Sequence, residues 1–375
     1  MIKKREKINV LYVSHFSDLS MGGQRSMTHL IEHLDRDKFT PFAVCPRPGE
    51  LSEKLESIGC RTFFVPFVSL KPKNLFKSFK ITPLLKQIIR GNNIGIVHPD
   101  YPSDTFLSWL AVRGTGVKLV WHVRWTGRAA KDKLYWRLPD GIIGVSDAAG
   151  RRFFKEPFPA KYRTIYNGAD IDVFKPVENK QSLREKLRLP ADKFILLFAG
   201  VLKDGKGIYD IAEAVSILKQ NGEEVPYTVF VGKAPSEEKL VAFKEFIKGK
   251  GISPETLIAG RQTNAHEWMA AADALALPSH EGNEGMPRAL CEALACGIPG
   301  IGSDTSGVNE AVTPESGLLV PEKSPKELAA AIKRLMDDPE LRRKMGQAGR
   351  RRALENFDIR IHARKVEDFY DFLLG

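Results

Sequence analysis

A chain of 375 residues has the length of two domains, and its 43% hydrophobic and 27% charged content excludes disordered, collagenous and fibrous classes. The formal net charge of +11 is lopsided: residues 1–175 carry 29 Lys and Arg against 16 Asp and Glu, whereas residues 176–375 carry 28 against 30. The basic excess belongs to the first half. It argues for one basic face, and no nucleic-acid recognition motif accompanies it, so no nucleic acid is expected as a partner.

The basic start (Lys3, Lys4, Arg5, Lys7) is followed by the alternating run Ile8–Phe16, which reads as a first β-strand and not as a signal peptide. From there, short β-branched runs alternate with longer amphipathic ones, the pattern of parallel strands joined by crossover helices. The strand runs of the first half are Asn9–Ser14, Thr40–Cys45, Arg61–Val65, Ile94–His98, Lys118–Val123, Gly141–Val145 and Thr164–Tyr166. Helical runs between them include Gln24–His33, Gly49–Ile58, Ile81–Arg90 and Ser103–Arg113. The pattern loosens after Asp172, where Pro176, Pro190 and many charges mark a linker over 176–192.

A second series follows: strands Phe194–Ala199, Tyr227–Val231, Thr256–Ala259, Ala274–Leu277 and Gly300–Gly302, with helices Gly207–Asn221, Glu237–Lys248, His266–Ala271 and Pro287–Ala295. From Ser324 onward the chain reads as helical, with breaks at Asp337-Asp338-Pro339 and Phe357-Asp358. Both halves are thus doubly wound α/β sheets, and ligands are expected beyond the carboxyl ends of their strands, in a cleft between the two sheets. The four cysteines are too few and scattered for a disulfide framework, and Cys291 and Cys296 lack a second ligand pair for a metal. With no apolar run of membrane-spanning length, the expected setting is reduced and cytoplasmic.

Two loops carry the chemistry. Gly200–Gly207 comes within one residue of a phosphate-binding loop of the NTPase type, but Gly207 replaces the hydroxyl that would hold Mg²⁺. What remains is a strand, a glycine turn and Lys206 at a helix start, which suits an anion. The second loop, Pro278–Pro287, runs into a helix closed by Gly297. Glu284 and Glu292 are eight apart, slightly over two helical turns, so two carboxylates flank exposed backbone N–H groups. That layout fits an anionic group with hydroxyl-bearing groups on either side, as in a nucleotide sugar.

These residues carry a resemblance. FAGVLKDGKG (198–207), Ala272-Asp273 with Pro278-Ser279, EGMPRALCEALACGIP (284–299) and SDTSGVNEAV (303–312) are similar to segments of the retaining glycosyltransferases of family 4, which have the two-Rossmann-domain GT-B fold. Weaker matches in family order are MGGQRSMTHLIEHL (21–34), IVHPD (96–100), LVWHVR (119–124), GVSDAAGRRF (144–153) and YNGADIDVFKP (166–176). The resemblance implies an acceptor-side domain over 1–175, a nucleotide-sugar domain over 193–356 and a C-terminal helix, 357–375, packing back on the first domain.

It implies site residues as well. Glu292 would hold the donor ribose, Glu284 the transferred sugar, and backbone N–H groups of Gly285 and Met286 that sugar too. Arg288 and Ala289, at the helix start, would meet the phosphates, and Lys206 would neutralise the departing diphosphate. His122 would line the sugar site, Gly23 would let backbone approach the diphosphate, and Glu310 would lie near the nucleotide. The family generally needs no metal or other cofactor, and no D-x-D metal motif is apparent. One departure stands out: where the family has an arginine, five residues before the motif lysine, this chain has Val201. Lys203, Arg261 or Arg124 are the basic residues that could replace it. If none does, the alternative is a catalytically weak nucleotide- or glycan-binding protein on the same fold.

The acceptor is the least legible part. From Ser57 to Pro99 there is no acidic residue, but Arg61, Lys71, Lys73, Lys77, Lys80, Lys86 and Arg90 are interleaved with Phe63, Phe64, Phe67, Leu70, Leu75, Phe76, Phe79, Ile81, Leu84 and Leu85. Further along, Arg124, Arg128, Lys131, Lys133, Arg137, Arg151 and Arg152 add to the positive charge. A basic segment over 61–90 with exposed apolar side chains docks on an anionic leaflet, so a lipid-linked or otherwise anionic hydroxyl acceptor at the inner membrane face is the expectation.

Overall fold

The computed structural model describes residues 7–19, 22–67, 75–127 and 132–375. The chain divides into two compact units, residues 1–168 with 359–375, and residues 169–358. In the first, seven strands lie in the order β3-β2-β1-β4-β5-β6-β7: β1 (Ile8–Val13), β2 (Phe39–Cys45), β3 (Arg61–Phe64), β4 (Ile94–Pro99), β5 (Lys118–Val123), β6 (Gly141–Gly144) and β7 (Tyr162–Thr164). All pair in parallel.

The sequence of β1 shows why it is central. Val10 and Tyr12 point to one face and pack with Met27, Leu30 and Ile31 of helix α1 (Gly22–Glu32), Leu51 and Leu55 of α2 (Glu50–Ser57), and Val366 and Tyr370 of the C-terminal helix Ile359–Leu374. Leu11 and Val13 point to the other face and meet Ile81, Leu85 and Ile89 of α3 (Leu75–Gly91) and Leu107 of α4 (Pro102–Val112). The unbroken apolar run Val10–Val13 is what a sheet covered on both faces requires. Two short helices, α5 (Asp132–Tyr135) and α6 (Asp147–Arg151), complete the unit.

The second unit repeats the plan with six strands in the order β10-β9-β8-β11-β12-β13: β8 (Ile195–Ala199), β9 (Tyr227–Val231), β10 (Thr256–Gly260), β11 (Ala274–Leu277), β12 (Gly300–Ser303) and β13 (Gly317–Val320). Its helices are α7 (Lys180–Lys186), α8 (Ile208–Gln220), α9 (Glu237–Gly249), α10 (Ala265–Ala271), α11 (Arg288–Ala295), α12 (Val308–Ala311), α13 (Pro325–Asp337) and α14 (Pro339–Asn356).

The structure departs from the sequence expectations in three places. Strand β7 lies two residues earlier than the run Thr164–Tyr166, because Tyr162 is buried opposite Ile142 and its hydroxyl donates to the Ser146 carbonyl at 2.8 Å. Strand β13 was not expected at all. It begins at a glycine that faces Gly300, where a Cβ would come 2.0 Å from the Gly300 carbonyl oxygen. Third, the segment read as a linker, 176–192, contains α7 and belongs to the second unit.

Arg184 of α7 explains that docking. It is buried, reaches Asp273 Oδ2 at 2.6 Å, and donates to the carbonyls of Ala271, Ala191 and Lys193. Asp273 also accepts the backbone N–H of Ile195 at 2.8 Å, so one buried ion pair ties the helix to the starts of β8 and β11. Removing Arg184 takes away three hydrogen bonds to carbonyls and leaves Asp273, largely withdrawn from solvent, with only the longer ionic contact to Lys180 at 3.3 Å. Arg184→Ala is expected to cost the second unit about 3 kcal/mol of stability; chemical denaturation followed by circular dichroism measures it.

Candidate active site

In the second sheet the strand order reverses between β8 and β11, and the two loops singled out by sequence leave the carboxyl ends of those strands. After β8 the chain makes a 3-10 turn over Asp204–Lys206 and enters α8 through Gly207, whose φ is +74°. A side chain there would be strained by that φ, and its Cβ would lie 2.3 Å from the Pro278 carbonyl oxygen. Glycine lets the two loops touch. Lys206 then extends to Glu284 at 2.5 Å and donates to the Asn283 carbonyl at 3.1 Å. Ser279 Oγ donates to the same Glu284 oxygen at 2.9 Å. The carbonyl of Ser279 is in turn held by Ser303, the last residue of β12, and, at 3.2 Å, by Thr305 just past it.

Glu284 lies in the loop and not in the helix, and α11 begins one residue after Pro287. Glu292, buried within α11, accepts from Arg288 one turn earlier at 2.6 Å. The structure thus gathers Lys206, Glu284, Gly285, Met286, Arg288, Ala289 and Glu292 along one loop–helix segment and the turn facing it. Arg261 is exposed, just past the end of β10. The Lys203 ammonium donates to Asn283 Oδ1 at 3.1 Å, so two cations share Asn283 where the sequence has Val201 in place of arginine. Burial and the neighbouring Lys206 charge both lower the Lys203 pKa. His280 braces the loop from below, 2.6 Å from Asp210 of α8.

The residues expected from the first half fall in the first unit. Gly23 is in the opening turn of α1, where a Cβ would meet Arg124 Cδ at 3.2 Å and Asp100 Oδ2 at 3.5 Å. Arg124 lies 3.5 Å from Asp100. Burial raises the Asp100 pKa to about 6 against the lowering by that guanidinium. His122 has no exposed surface. Its Nδ1 is 3.1 Å from His98 Nε2, its ring lies 6.0 Å from that of His362, and its Nε2 is buried without a partner among the described residues. His98 hydrogen bonds to Tyr370, whose hydroxyl is 3.2 Å from that of Tyr12. Burial, then the Arg124 charge and the neighbouring histidines, push His98 and His122 well below the usual histidine range, so both are neutral. In the same sheet, His15, two residues past β1, and Asp104, in the first turn of α4, lie 2.9 Å apart.

The basic segment divides. Phe63 is partly buried and Phe67, Ile81 and Leu85 are buried in the core, whereas Phe64, Lys80, Leu84 and Arg90 are exposed. Leu70, Lys71 and Lys73, the side chains of Leu75, Phe76, Lys77, Phe79 and Lys133, and residues Lys3, Lys4, Arg5, Met21, Arg128 and Lys131 lie outside the described residues. No described helix is long and apolar enough to cross a membrane. Among the described residues, no group of three or more His, Cys, Asp or Glu side chains could hold a metal ion. All four cysteines are free and buried, and burial pushes Cys45, Cys60 and Cys296 up to about 12, which makes them inert as thiolates.

Comparison with known proteins gives the family and the fold. A family model described as Glycosyltransferase Family 4 matches residues 21–173, and one described as Glycosyl transferases group 1 matches 179–352. The chain belongs to this family of GT-B glycosyltransferases. It is 27% identical to the UDP-Gal:alpha-D-GlcNAc-diphosphoundecaprenol alpha-1,3-galactosyltransferase of Escherichia coli over 99% of this chain and 98% of that one. A D-inositol 3-phosphate glycosyltransferase of Arthrobacter is 30% identical over 56% of this chain and 53% of its own length. Two solved structures share the fold: a glycosyltransferase of Rickettsia africae, with a TM-score of 0.86 and 20% identity over 99% of both chains, and Anabaena HepE in complex with UDP and glucose. The latter has a TM-score of 0.81 and 18% identity over 97% of this chain and 99% of its own.

The glycine turn gives a direct test of the site. Gly207→Ala is expected to cost roughly 2 kcal/mol or more, from the strained φ and the approach to Pro278. A lowered denaturation midpoint, with the far-ultraviolet spectrum otherwise retained, is the measurement.

Proposed function

We propose that this glycosyltransferase moves a hexose, with retention and without a metal, from a nucleotide-diphosphate sugar to a hydroxyl of a lipid-linked or other anionic acceptor. The observation that carries the donor reading is the cluster of Lys206, Glu284 and Ser279 at the carboxyl ends of β8 and β11, with Glu292 on the adjoining helix. In this reading Lys206 meets the diphosphate, where negative charge grows as the glycosidic bond breaks, and Glu284 accepts from hydroxyls of the sugar. Glu292, braced by Arg288, accepts from the ribose. HepE, which shares the fold, was crystallised with UDP and glucose, and that supports a nucleotide-sugar donor here.

Val201 motivated the second reading, a binding protein of weak activity. The convergence of Lys203 and Lys206 on Asn283 weighs against it, since a second cation stands beside the motif lysine. The acceptor class rests on the Escherichia coli relative, whose name specifies a sugar on a diphosphoundecaprenol, and on the basic, partly apolar surface of Phe64, Lys80, Leu84 and Arg90. A chain that meets such an acceptor works at the inner face of a membrane.

A panel of nucleotide sugars should raise the melting temperature for one donor, because a ligand stabilises by RT ln(1 + [L]/Kd). Glu292→Ala is expected to abolish that shift, and a shift that survives the substitution would falsify the donor assignment. Lys206→Ala should lower kcat on the order of 10²-fold, as loss of one group stabilising the leaving charge does; turnover absent from wild type and variant alike would favour the binding-protein reading. On vesicles, binding to anionic over neutral lipid at low salt should weaken by about 1 kcal/mol per charge removed in Lys80→Glu and Arg90→Glu. Co-sedimentation without lipid preference would rule out the membrane role.

A further inference from the structure

At the amino edge of the second sheet lies a cavity of about 280 Å³. Its walls come from three places: Lys180 at the start of α7, Asp273 and the Gly297–Pro299 turn just ahead of β11 and β12, and Pro339, Arg342 and Arg343 near the start of α14. All of these belong to the second unit. The donor loops leave the opposite, carboxyl ends of β8 and β11, so in a parallel sheet this cavity is a separate place. The donor reading makes no use of it.

The lining carries three cations against one carboxylate, and two of these charges are already met. Asp273 is held by buried Arg184 at 2.6 Å. Arg343 makes two hydrogen bonds, of 2.8 and 2.9 Å, to Glu340, which does not line the cavity. Lys180 and Arg342 remain. Lys180 Nζ donates to the Ala272 carbonyl at 2.7 Å and lies 3.3 Å from Asp273 Oδ1, which uses two of its three N–H donors. Arg342 Nη1 donates to the Leu335 carbonyl at 2.5 Å, and its guanidinium lies over the Phe194 ring, 5.2 Å from the centroid. Its Nε and Nη2, the edge of a guanidinium that can hold two oxygens at once, make no hydrogen bond to a described residue.

The cations also act on one another. Burial lowers the Lys180 pKa; Asp273 opposes that, and the Arg184 and Arg342 charges add to the lowering. Like charges held at such range favour an anion between them. Backbone carbonyls would repel one, but those of the last turn of α11, beside the Gly297–Pro299 turn, are taken: Ala293, Leu294 and Ala295 accept from Ile298, Gly297 and Arg350. Pro339 brings the amino end of α14, the positive end of its dipole, to the same wall. A purely structural role accounts for the carbonyl and ring contacts of Lys180 and Arg342, but not for two unmatched charges beside one cavity.

We propose that this cavity binds a phosphate group, as inorganic phosphate or as the monoester of a small polar alcohol, with the Arg342 edge on two of its oxygens and the remaining Lys180 donor on a third. Two unmatched cations suit a dianion, and a planar guanidinium edge suits paired oxygens on one tetrahedral centre. The volume lies just under that of sites for drug-sized ligands, which leaves room beside the phosphate for a small body against Ile298, Pro299 and Pro339. The phosphate of a lipid headgroup offers the same chemistry, and the assay separates the two sources. The site stands apart from the glycosyl-transfer reading and goes beyond it.

Isothermal titration calorimetry of the full chain, at fixed ionic strength in a phosphate-free buffer, tests this with inorganic phosphate and with glucose 1-phosphate. Saturable binding is expected. Its Kd should rise about tenfold or more in Arg342→Lys, which keeps the charge but not the two-oxygen edge, and in Lys180→Gln. The same binding should persist in Lys206→Ala, whose lysine belongs to the donor loops. In wild type, either compound should lower the rate of Lys180 acetylation by acetic anhydride about threefold or more, since a bound anion covers the amine and keeps it protonated. Exposed Lys326 is the reference, and peptide mass spectrometry reads both, so the test holds where a variant does not fold. The lipid source is read on phosphatidylcholine vesicles with and without phosphatidic acid: co-sedimentation that needs phosphatidic acid and is lost in Arg342→Lys supports the site with a headgroup phosphate. Neither soluble binding nor such co-sedimentation overturns the proposal. So does a Kd unchanged in both cavity variants, or soluble binding that leaves Lys180 acetylation unchanged. Binding lost in Lys206→Ala and kept in both cavity variants overturns it too, by placing the anion in the donor loops.

Discussion

Lys206 and Glu284 are 78 residues apart in sequence and meet because every strand of the second sheet runs the same way. Parallel strands put all strand-to-helix loops on one edge, and the reversal of strand order sends the connections after β8 and β11 to opposite faces. Those loops meet where the left-handed glycine at 207 lies beneath the Pro278 carbonyl, where the His280 N–H donates to the Gly205 carbonyl and where His280 reaches Asp210. There Lys206, Asn283, Glu284 and Ser279 form one hydrogen-bonded set, and Ser303, at the end of β12, and Thr305, just past it, support it.

The same set explains how two charges are held together away from solvent. Lys206 and Glu284 are both largely withdrawn from solvent, and either left alone would be costly. Paired, and with Ser279 and the Asn283 carbonyl taking further hydrogen bonds, neither is left uncompensated. In the proposed reaction the diphosphate replaces Glu284 as the partner of Lys206, and sugar hydroxyls replace Lys206 as donors to Glu284. The ligand thus exchanges one satisfied arrangement for another of the same kind, and the cost of separating the pair is offset within the site. Lys203, held by Asn283, lies close enough to share that negative charge.

How much of this could be read in the sequence depends on whether a residue's role is local. The two doubly wound sheets follow from periodicity, and Lys206, Glu284 and Glu292 from loop motifs and spacing. The helix after Pro287 and its end at Gly297 follow from local backbone preferences. What needed the fold was pairing at long range. Strand β13 exists because two glycines let backbones approach, which no local propensity signals. The supposed linker at 176–192 is held by Arg184, a charged residue that sequence assigns to the surface and that the structure buries against Asp273. His15 and Asp104 are 89 residues apart, and neither lies in a motif that marks it.

His15 and His122, both of the first unit, show how burial sets the proton affinity of an imidazole. His122 points into a cluster with His98, His362, Tyr370 and Tyr12, which ties the C-terminal helix to β1, β4 and β5. Its proton affinity is suppressed by burial and by Arg124, so it is suited to donating or accepting a hydrogen bond but not to carrying charge. His15 is at the rim, with Asp104 behind it, and its proton affinity is raised. Burial thus leaves His122 without charge, while a carboxylate behind an imidazole nearer to solvent raises the proton affinity of His15.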